Sequence, residues 1–235
     1  MQRVTARLLP GWQVPAARIA TDEPADSKLT VVALFREGFA RPTLLLWSTF
    51  FVSLILLYFM ISWLPSLLQE SGLALNQANL VTSLFLFAGT FGAVCLAWCA
   101  DRMANKAHLL AGVLLGAALF SVLVGINHDD PRWLVPSVFA AGFCIIGGQL
   151  TLNAFVSNFY PAQVRATGTG WALGVGRFGS ILGPLLGSLL LTLHMPVEQI
   201  FFFCAVPALL GALLISRVRA PQQREATVKG EALVD

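Results

Sequence analysis

Residues 43–66, TLLLWSTFFVSLILLYFMISWLPS, form a continuous apolar segment without a single charged side chain. About 20 such residues in a helix cross the roughly 30 Å hydrocarbon core of a bilayer, and the helix satisfies its own backbone hydrogen bonds. Five further apolar segments follow, at residues 78–99, 107–126, 133–157, 166–193 and 200–216. The sequence therefore predicts an all-α membrane protein with six transmembrane helices.

The composition agrees with this interpretation, because 57% of the residues are hydrophobic, 11% are charged and the mean hydropathy is +0.75. An average soluble domain has roughly 45–50% apolar and 25% charged residues. The net charge of +3 does not indicate nucleic-acid binding, since almost all basic residues lie outside the apolar segments. The four cysteines lie inside apolar segments without metal-ligand spacing, and no P-loop, HExxH or nucleophile motif is present. We therefore predict no metal, no cofactor and no enzyme activity.

The distribution of Lys and Arg predicts the orientation of the chain. Thirteen of the 15 lie in the two termini or in the loops after the second and fourth segments, whereas the alternate loops hold only Arg132. Positively charged loops tend to stay in the cytoplasm, so both termini are predicted to be cytoplasmic. We divide the chain into a cytoplasmic tail at 1–41, a six-helix transmembrane domain at 42–217 and a cytoplasmic C-tail at 218–235. Within the first tail, residues 29–39 could form a short amphipathic helix at the membrane surface.

Arg177 lies about eleven residues into the fifth segment, which places it roughly 16 Å deep at 1.5 Å per residue. A guanidinium near the midplane costs about 2.5–3.5 kcal/mol, so we expect it to face the bundle interior or a water-filled cavity. No Asp or Glu lies within the six segments. Its partner is then an anionic substrate, an acidic residue of another chain, or backbone and amide groups. We favour the substrate carboxylate, which Arg can bind through two parallel hydrogen bonds.

Other polar side chains within the segments are candidates for the same site. Gln149 and Asn153 are four residues apart in the fourth segment and share a helix face. We predict that they line a cavity and bind substrate, with inter-helix hydrogen bonding as the alternative. The first segment offers Ser48, Ser53, Tyr58 and Ser62. Of these, Tyr58 could present both a ring and a hydroxyl to a ligand.

The fifth segment also carries a face of small residues. Gly179, Gly183 and Gly187 recur every four residues and allow a neighbouring helix to approach closely. Pro184 cannot donate the backbone hydrogen bond that Ser180 would accept, so a bend is expected there. Such a face suits a helix that slides or rocks against its neighbour, although tight packing alone is the alternative.

Residues 97–106, AWCADRMANK, resemble the G-x-x-x-D-R-x-x-x-R/K loop motif of the major facilitator superfamily. The copy is degenerate, because Ala97 replaces the motif glycine and Ala104 replaces another glycine that is commonly seen. Longer stretches are similar to helices seven, ten and eleven of its aromatic acid:proton symporter branch. They are 44–47 (LLLW), 57–65 (LYFMISWLP), 147–149 (GGQ), 152–154 (LNA) and 160–184 (YPAQVRATGTGWALGVGRFGSILGP). The resemblance covers about residues 34–217. Asp101, Arg102, Lys106 and Arg165 lie in two loops on the same predicted face, where we expect a charge cluster that biases a gate; a merely topological role is the alternative.

This resemblance implies one half, the C-terminal half, of a twelve-helix fold. It implies proton-coupled uptake of benzoate-type aromatic carboxylates by alternating access in a bacterial-type inner membrane. The implied partners are the aromatic carboxylate, protons, the lipid bilayer, and an N-terminal six-helix half or a second copy. Acidic residues associated with coupling in the family's first half have no counterpart here. The tail at 1–41 resembles part of the family's central cytoplasmic loop, which suggests a split gene, a truncated gene product or a fragment. The alternatives are a non-transporting membrane module, an inactive truncated remnant, or a transporter of another organic anion.

Overall fold

The computed structural model describes residues 39–103 and 105–218, with the backbone alone at Gln163. Six helices follow one another: α1 (Ala40–Glu70), α2 (Leu75–Arg102), α3 (Lys106–Ile126), α4 (Pro131–Phe159), α5 (Ala162–Thr192) and α6 (Val197–Ser216). Each is long and apolar enough to cross a membrane. The predicted all-α membrane fold with six spanning helices is therefore confirmed, and the described residues contain no strand.

Most of the two predicted tails, including all of the predicted amphipathic segment at 29–39 except Phe39, lies outside the described residues. Ala40 and Arg41, which we assigned to the first tail, already belong to α1. The first residue of the predicted C-tail, Val218, directly follows the last turn of α6 and is buried. The boundaries at 42 and 217 thus fall close to the ends of the helical domain.

Several helices extend beyond the predicted apolar segments. The α2 helix begins at Leu75 and continues through Arg102, so Asp101 and Arg102 lie in its last turn and not in a loop. The α5 helix begins directly after Pro161, four residues before the predicted start. Apolar runs mark only the part of a helix within the hydrocarbon core, and the helix continues into the interface where polar groups are hydrated.

Short connections make successive helices antiparallel. We call the end of the bundle that holds Met103, Asn105 and residues 160–161 the near end, and the end that holds residues 71–74, 127–130 and 193–196 the far end. Helix α1 begins at the near end. The most extensive packing joins α1 with α5, α2 with α4, and α3 with α6. Glycines permit the closest of these contacts: a Cβ on Gly92 would lie 2.6 Å from the carbonyl oxygen of Phe143 in α4.

Over its most apolar 18-residue stretch, helix α5 has the smallest share of buried residues, 22%, and α2 has the next smallest, 33%. Large apolar side chains stay exposed on both helices, including Leu80 and Val94 on α2 and Phe178 and Ile181 on α5. Exposure of so much apolar area to water would be unfavourable. These faces are therefore covered by lipid or by other protein segments.

Candidate functional site

Three polar side chains form a hydrogen-bonded chain from α1 to α4 in the middle of the bundle. The Ser53 hydroxyl donates a 2.6 Å hydrogen bond to Gln149 Oε1, and Gln149 Nε2 donates a 3.1 Å bond to Asn153 Oδ1. Ser53 and Gln149 are buried, with 4% and 5% of their surfaces exposed, whereas Asn153 is half-buried. The structure thus brings Gln149 and Asn153 together. The structure also shows that Ser53 of α1 is the inter-helix partner of Gln149. Of these three side chains, only that of Asn153 is partly open to its surroundings.

Arg177 lies at nearly the same depth as this polar chain. Leu54, the residue after Ser53, packs against α5, where a Cβ on Gly176 would lie 2.6 Å from Leu54 Cδ1. Arg177 directly follows Gly176. Because neighbouring helical residues differ in height by only 1.5 Å, Arg177 and the polar chain lie within about one turn of each other along the bundle axis.

Arg177 is the central residue of α5 and its side chain is exposed. It therefore does not face the interior of these six helices, which was one of the two placements that we predicted. Among the residues described between 39 and 218, no carboxylate pairs with its guanidinium. The Arg177 carbonyl accepts a 2.7 Å bond from the Ser180 hydroxyl. The guanidinium thus points to the open face of α5, where a partner has to come from outside this bundle.

Tyr58 lies one turn beyond Leu54 on α1 and is half-buried. Its ring packs against a cluster of buried apolar side chains that includes Phe50 and Leu54. Within the described part of the chain, no hydrogen-bond partner lies close to its hydroxyl. Ser48 and Ser62 are exposed on the same helix. Tyr58 therefore packs against the apolar cluster that contains Leu54, the residue after Ser53, and forms no hydrogen bond with the polar chain.

Helices α1 and α5 meet at the predicted glycine face. A Cβ on Gly183 would lie 2.6 Å from the carbonyl oxygen of Ile55 and 2.9 Å from the backbone nitrogen of Phe59. A Cβ on Gly179 would overlap the carbonyl oxygen of Phe51. Since the obstructing atoms are backbone atoms, they cannot move aside as a flexible side chain would. The two helix backbones are in contact along this face.

Beyond these two glycines, a tryptophan joins α1 to α5. Trp63 Nε1 donates a 2.9 Å hydrogen bond to the carbonyl of Pro184, and its indole occupies the space that a Cβ on Gly187 would need. Helix α5 is continuous through Pro184, so the bend that we expected does not break the helix. Sequence reasoning did not identify this bond, because nothing in the sequence marks which backbone carbonyl an indole will meet.

The predicted charge cluster at the near end is not paired in the structure. Asp101 and Lys106 line the same cavity of about 270 Å³ between α2, α3 and α4. Arg165 instead donates from Nε to the carbonyl of Tyr160 at 3.3 Å. Arg165 belongs to α5, which packs mainly against α1, whereas α2 packs against α4. This separation explains why Arg165 pairs with no carboxylate of α2, and no ion pair among Asp101, Arg102, Lys106 and Arg165 occurs in the described residues.

Arg102 has a different neighbour, the indole of Trp98 one turn earlier in α2. The guanidinium carbon lies 3.6 Å from the ring centroid, and Arg102 Nη1 donates a 3.3 Å bond to the Trp98 carbonyl. Both side chains are exposed. A cation over an indole at the end of a membrane helix is stabilised by the ring quadrupole and by the helix dipole. Arg102 therefore caps its own helix.

Aromatic contacts at the near end also join α1 to the turn between α4 and α5. Tyr160 is buried, and its hydroxyl donates a 3.3 Å bond to Thr43 Oγ1. Burial raises the pKa of the Tyr160 phenol, while hydrogen bonds with Thr43 and Trp47 act in the opposite direction. The Trp47 and Trp171 rings stack with centroids 5.8 Å apart. The stretches 44–47 and 160–184 contain these rings, but the sequence alone does not show which of them meet.

Residues 45–233 match the sequence profile of the Major Facilitator Superfamily. The chain belongs to this superfamily. Its six helices correspond to one half of the twelve-helix major facilitator fold, as the sequence predicts. The resemblance to the aromatic acid branch is confirmed by the relatives of this major facilitator chain.

The relatives of this major facilitator chain include several transporters named for aromatic acids. The gallate transporter of Pseudomonas putida is 36% identical over 230 residues, covering 90% of this chain and 51% of that protein. The 4-hydroxybenzoate transporter PcaK of Acinetobacter baylyi is 36% identical over 204 residues (87% and 44%). The benzoate transport protein of the same organism is 30% identical over 215 residues (90% and 46%). The chain spans about half the length of these curated relatives.

Within this major facilitator half, the mid-depth residues can donate hydrogen bonds to an anion. Arg177 offers a charged planar donor and Asn153 offers an amide, and both are at least partly open. The carboxylates of the described residues lie at helix ends or in far-end turns: Glu70, Asp101, Asp129, Asp130 and Glu198. The described mid-depth residues thus suit anion binding and include no acidic group for proton exchange.

Proposed function

We propose that this chain forms the C-terminal six helices of a proton-coupled importer of benzoate-type aromatic carboxylates, and that it is not an enzyme. The relatives are named for gallate, 4-hydroxybenzoate and benzoate, which are all single-ring aromatic carboxylates. We place the chain in a bacterial inner membrane with the near end in the cytoplasm, because Lys and Arg concentrate in the near-end loops and the termini.

The observation that carries this proposal is the position of Arg177. A guanidinium at the centre of a membrane helix is costly, and no described carboxylate compensates it. A substrate carboxylate would supply the missing charge and accept two parallel hydrogen bonds. In the proposed site, Asn153 contributes an amide group, the buried Gln149 acts through its hydrogen bond to Asn153, and Tyr58 faces the substrate ring.

The proposed importer needs a second set of six helices. Transporters of this superfamily bind substrate between two halves, and the chain spans about half the length of its relatives. The open faces of α2 and α5 are the surfaces that we assign to this contact. We propose an N-terminal six-helix half as the partner, and a second copy of this chain is the alternative. The partner would also supply the acidic groups that exchange protons.

The test is a chimera that joins the first six helices of the Acinetobacter baylyi 4-hydroxybenzoate transporter to this chain. Cells that produce the chimera should accumulate labelled 4-hydroxybenzoate, and a protonophore should abolish this uptake. Cells that produce this chain alone, or the six donor helices alone, serve as controls. A chimera that reaches the membrane but takes up no aromatic acid would overturn the proposal. Preferential uptake of a non-aromatic acid such as succinate would instead favour a transporter of another organic anion.

A further inference from the structure

We infer that Ser53 and Gln149 are positioning residues that fix the direction of a hydrogen-bond chain and so present Asn153 to the ligand as a donor. This inference rests on the proposed function, because it assigns the chemistry of one contact in the same site. Its consequence is that the ligand atom facing Asn153 is a hydrogen-bond acceptor. An acceptor oxygen occurs in an aromatic acid as the carboxylate or as a ring hydroxyl.

The first step concerns the short contact between α1 and α4. Hydrogen bonds from a hydroxyl to an oxygen measure about 2.5–3.0 Å, whereas those from an amide nitrogen measure about 2.7–3.2 Å. The contact between Ser53 Oγ and the Gln149 side chain is 2.6 Å, which fits a hydroxyl donating to Oε1. Ser53 is 4% exposed, so this geometry is protected from water. The Gln149 amide is therefore held with its oxygen toward α1.

The second step follows from this orientation. With Oε1 facing Ser53, the Gln149 amide turns Nε2 toward Asn153, where it donates a 3.1 Å bond to Oδ1. This bond fixes the Asn153 amide in turn. Its nitrogen, which carries two N–H donors, is left without an acceptor among the described residues. Because Asn153 is half-buried, this nitrogen can meet a ligand.

Conservative substitutions can separate the direction of these hydrogen bonds from the shape of the side chains that form them. In Gln149→Glu, the ionised carboxylate cannot donate a hydrogen bond to Asn153, so the Asn153 amide should flip and present Oδ1 to the ligand. Ser53→Ala removes the group that orients Gln149, while Ser53→Thr keeps the hydroxyl. Ser48→Ala is the matched control, since Ser48 lies on the same helix but is exposed.

A measurement without ligand tests the chain of bonds independently of transport. In the full chain labelled with ¹⁵N-glutamine and ¹⁵N-asparagine in nanodiscs, hydrogen exchange of the Gln149 carboxamide should be slow. The Gln149→Glu and Asn153→Asp variants assign the signals. We expect Ser53→Ala to accelerate this exchange about threefold or more, with no change in Ser53→Thr or Ser48→Ala. Unchanged exchange in Ser53→Ala would overturn the inference, whether or not the chain belongs to a transporter.

A second measurement uses the chimera, with benzoate and 4-hydroxybenzoate as competitors of labelled uptake. Ser53→Ala and Gln149→Glu should weaken the apparent affinity for at least one acid about three- to tenfold, and Ser53→Thr should preserve it. Equal losses for both acids identify the carboxylate as the acceptor. A loss confined to 4-hydroxybenzoate identifies the ring oxygen. Unchanged affinity for both acids would overturn the inference, whereas absence of all aromatic uptake in the unmodified chimera would instead count against the proposed function.

Discussion

The Trp63 indole on α1 donates a 2.9 Å hydrogen bond to the carbonyl of Pro184 on α5. Towards the near end from this bond, Gly179 and Gly183 bring the two helix backbones into contact. Lipid tails are as apolar as leucine, so packing and hydrogen bonds have to hold membrane helices together. Helix α5 is thus fixed to α1 along one face, while Arg177 stays exposed on another.

The indole bond predicts that Trp63→Phe lowers the stability of the isolated chain. The substitution keeps an aromatic ring but removes the donor, and a typical hydrogen bond contributes about 0.5–1.5 kcal/mol. Thermal unfolding of the full chain in detergent measures the effect. Trp133→Phe is the control, because Trp133 is exposed and donates no side-chain hydrogen bond in the described structure. Equal unfolding temperatures for the two variants would show that the bond contributes nothing.

Two Gly→Ala substitutions in α5, one within the glycine face and one outside it, should have different effects on stability. In Gly183→Ala, the new Cβ would lie 2.6 Å from the Ile55 carbonyl oxygen, and such overpacking costs about 1–3 kcal/mol. In Gly174→Ala, nothing lies within 4 Å, and alanine favours a helix by up to about 1 kcal/mol. The unfolding temperature of the full chain should fall for the first variant and stay equal or rise for the second. A fall of the same size in both would contradict the close contact.

The helices were predictable from the sequence because a bilayer imposes one requirement, an apolar run of sufficient length. Their ends were less predictable, since residues such as Asp101 and Arg102 extend α2 into the interface without adding hydrophobicity. The depth of Arg177 followed from counting residues at 1.5 Å each. Its exposure did not, because periodicity alone does not show which helices cover which face.

The polar contacts show the same limit. The spacing of Gln149 and Asn153 predicted a shared face, since it needs only local helix geometry. The bond from Ser53 to Gln149 joins residues far apart in the chain. The sequence does not indicate which serine of α1 would be the hydrogen-bond partner of Gln149. The near-end charges were expected to pair because they share a membrane face. Their helices belong to different packed pairs, and membrane topology does not reveal this.

We predict that Asp101→Asn slows uptake by the chimera severalfold without reducing the amount of protein in the membrane. Asp101 lies in the last turn of α2 and lines a cavity together with Lys106, where a charge can influence the relative position of the helix ends. Initial uptake rates, normalised to membrane protein by immunoblotting, measure the effect. Asp129→Asn is the control, because Asp129 is exposed at the far end. Equal rates in the two variants would favour a purely topological role for Asp101.

We predict that the chain alone, reconstituted in liposomes, does not couple a proton gradient to aromatic acid uptake. The described mid-depth residues include no carboxylate that could take up and release a proton. Accumulation of labelled 4-hydroxybenzoate is measured with and without an imposed pH gradient. Liposomes that contain the chimera are the positive control. Uptake that requires the gradient and collapses on addition of a protonophore, in liposomes holding only this chain, would refute the prediction.

The last prediction is that Arg177→Lys in the chimera weakens the affinity for aromatic acids about tenfold or more. Lysine keeps the positive charge but loses the planar fork that binds a carboxylate through two parallel bonds. Charged hydrogen bonds contribute about 1.5–3 kcal/mol, which corresponds to roughly 10- to 150-fold in affinity. A structural ion pair with an acidic residue of the other half would depend mainly on charge. The substitution therefore separates substrate binding from structural pairing.

Competition of unlabelled benzoate against labelled 4-hydroxybenzoate uptake gives the affinity of each variant. Arg132→Lys is the matched control, because Arg132 is exposed near the far-end start of α4 and should tolerate the change. Expression and thermal stability of Arg177→Lys should equal those of the unmodified chimera, since the Arg177 side chain has no partner in the described part of this bundle. Normal affinity in Arg177→Lys would reject the substrate role. Rescue of Arg177→Glu by a basic residue in the other half would assign Arg177 to an ion pair between the halves.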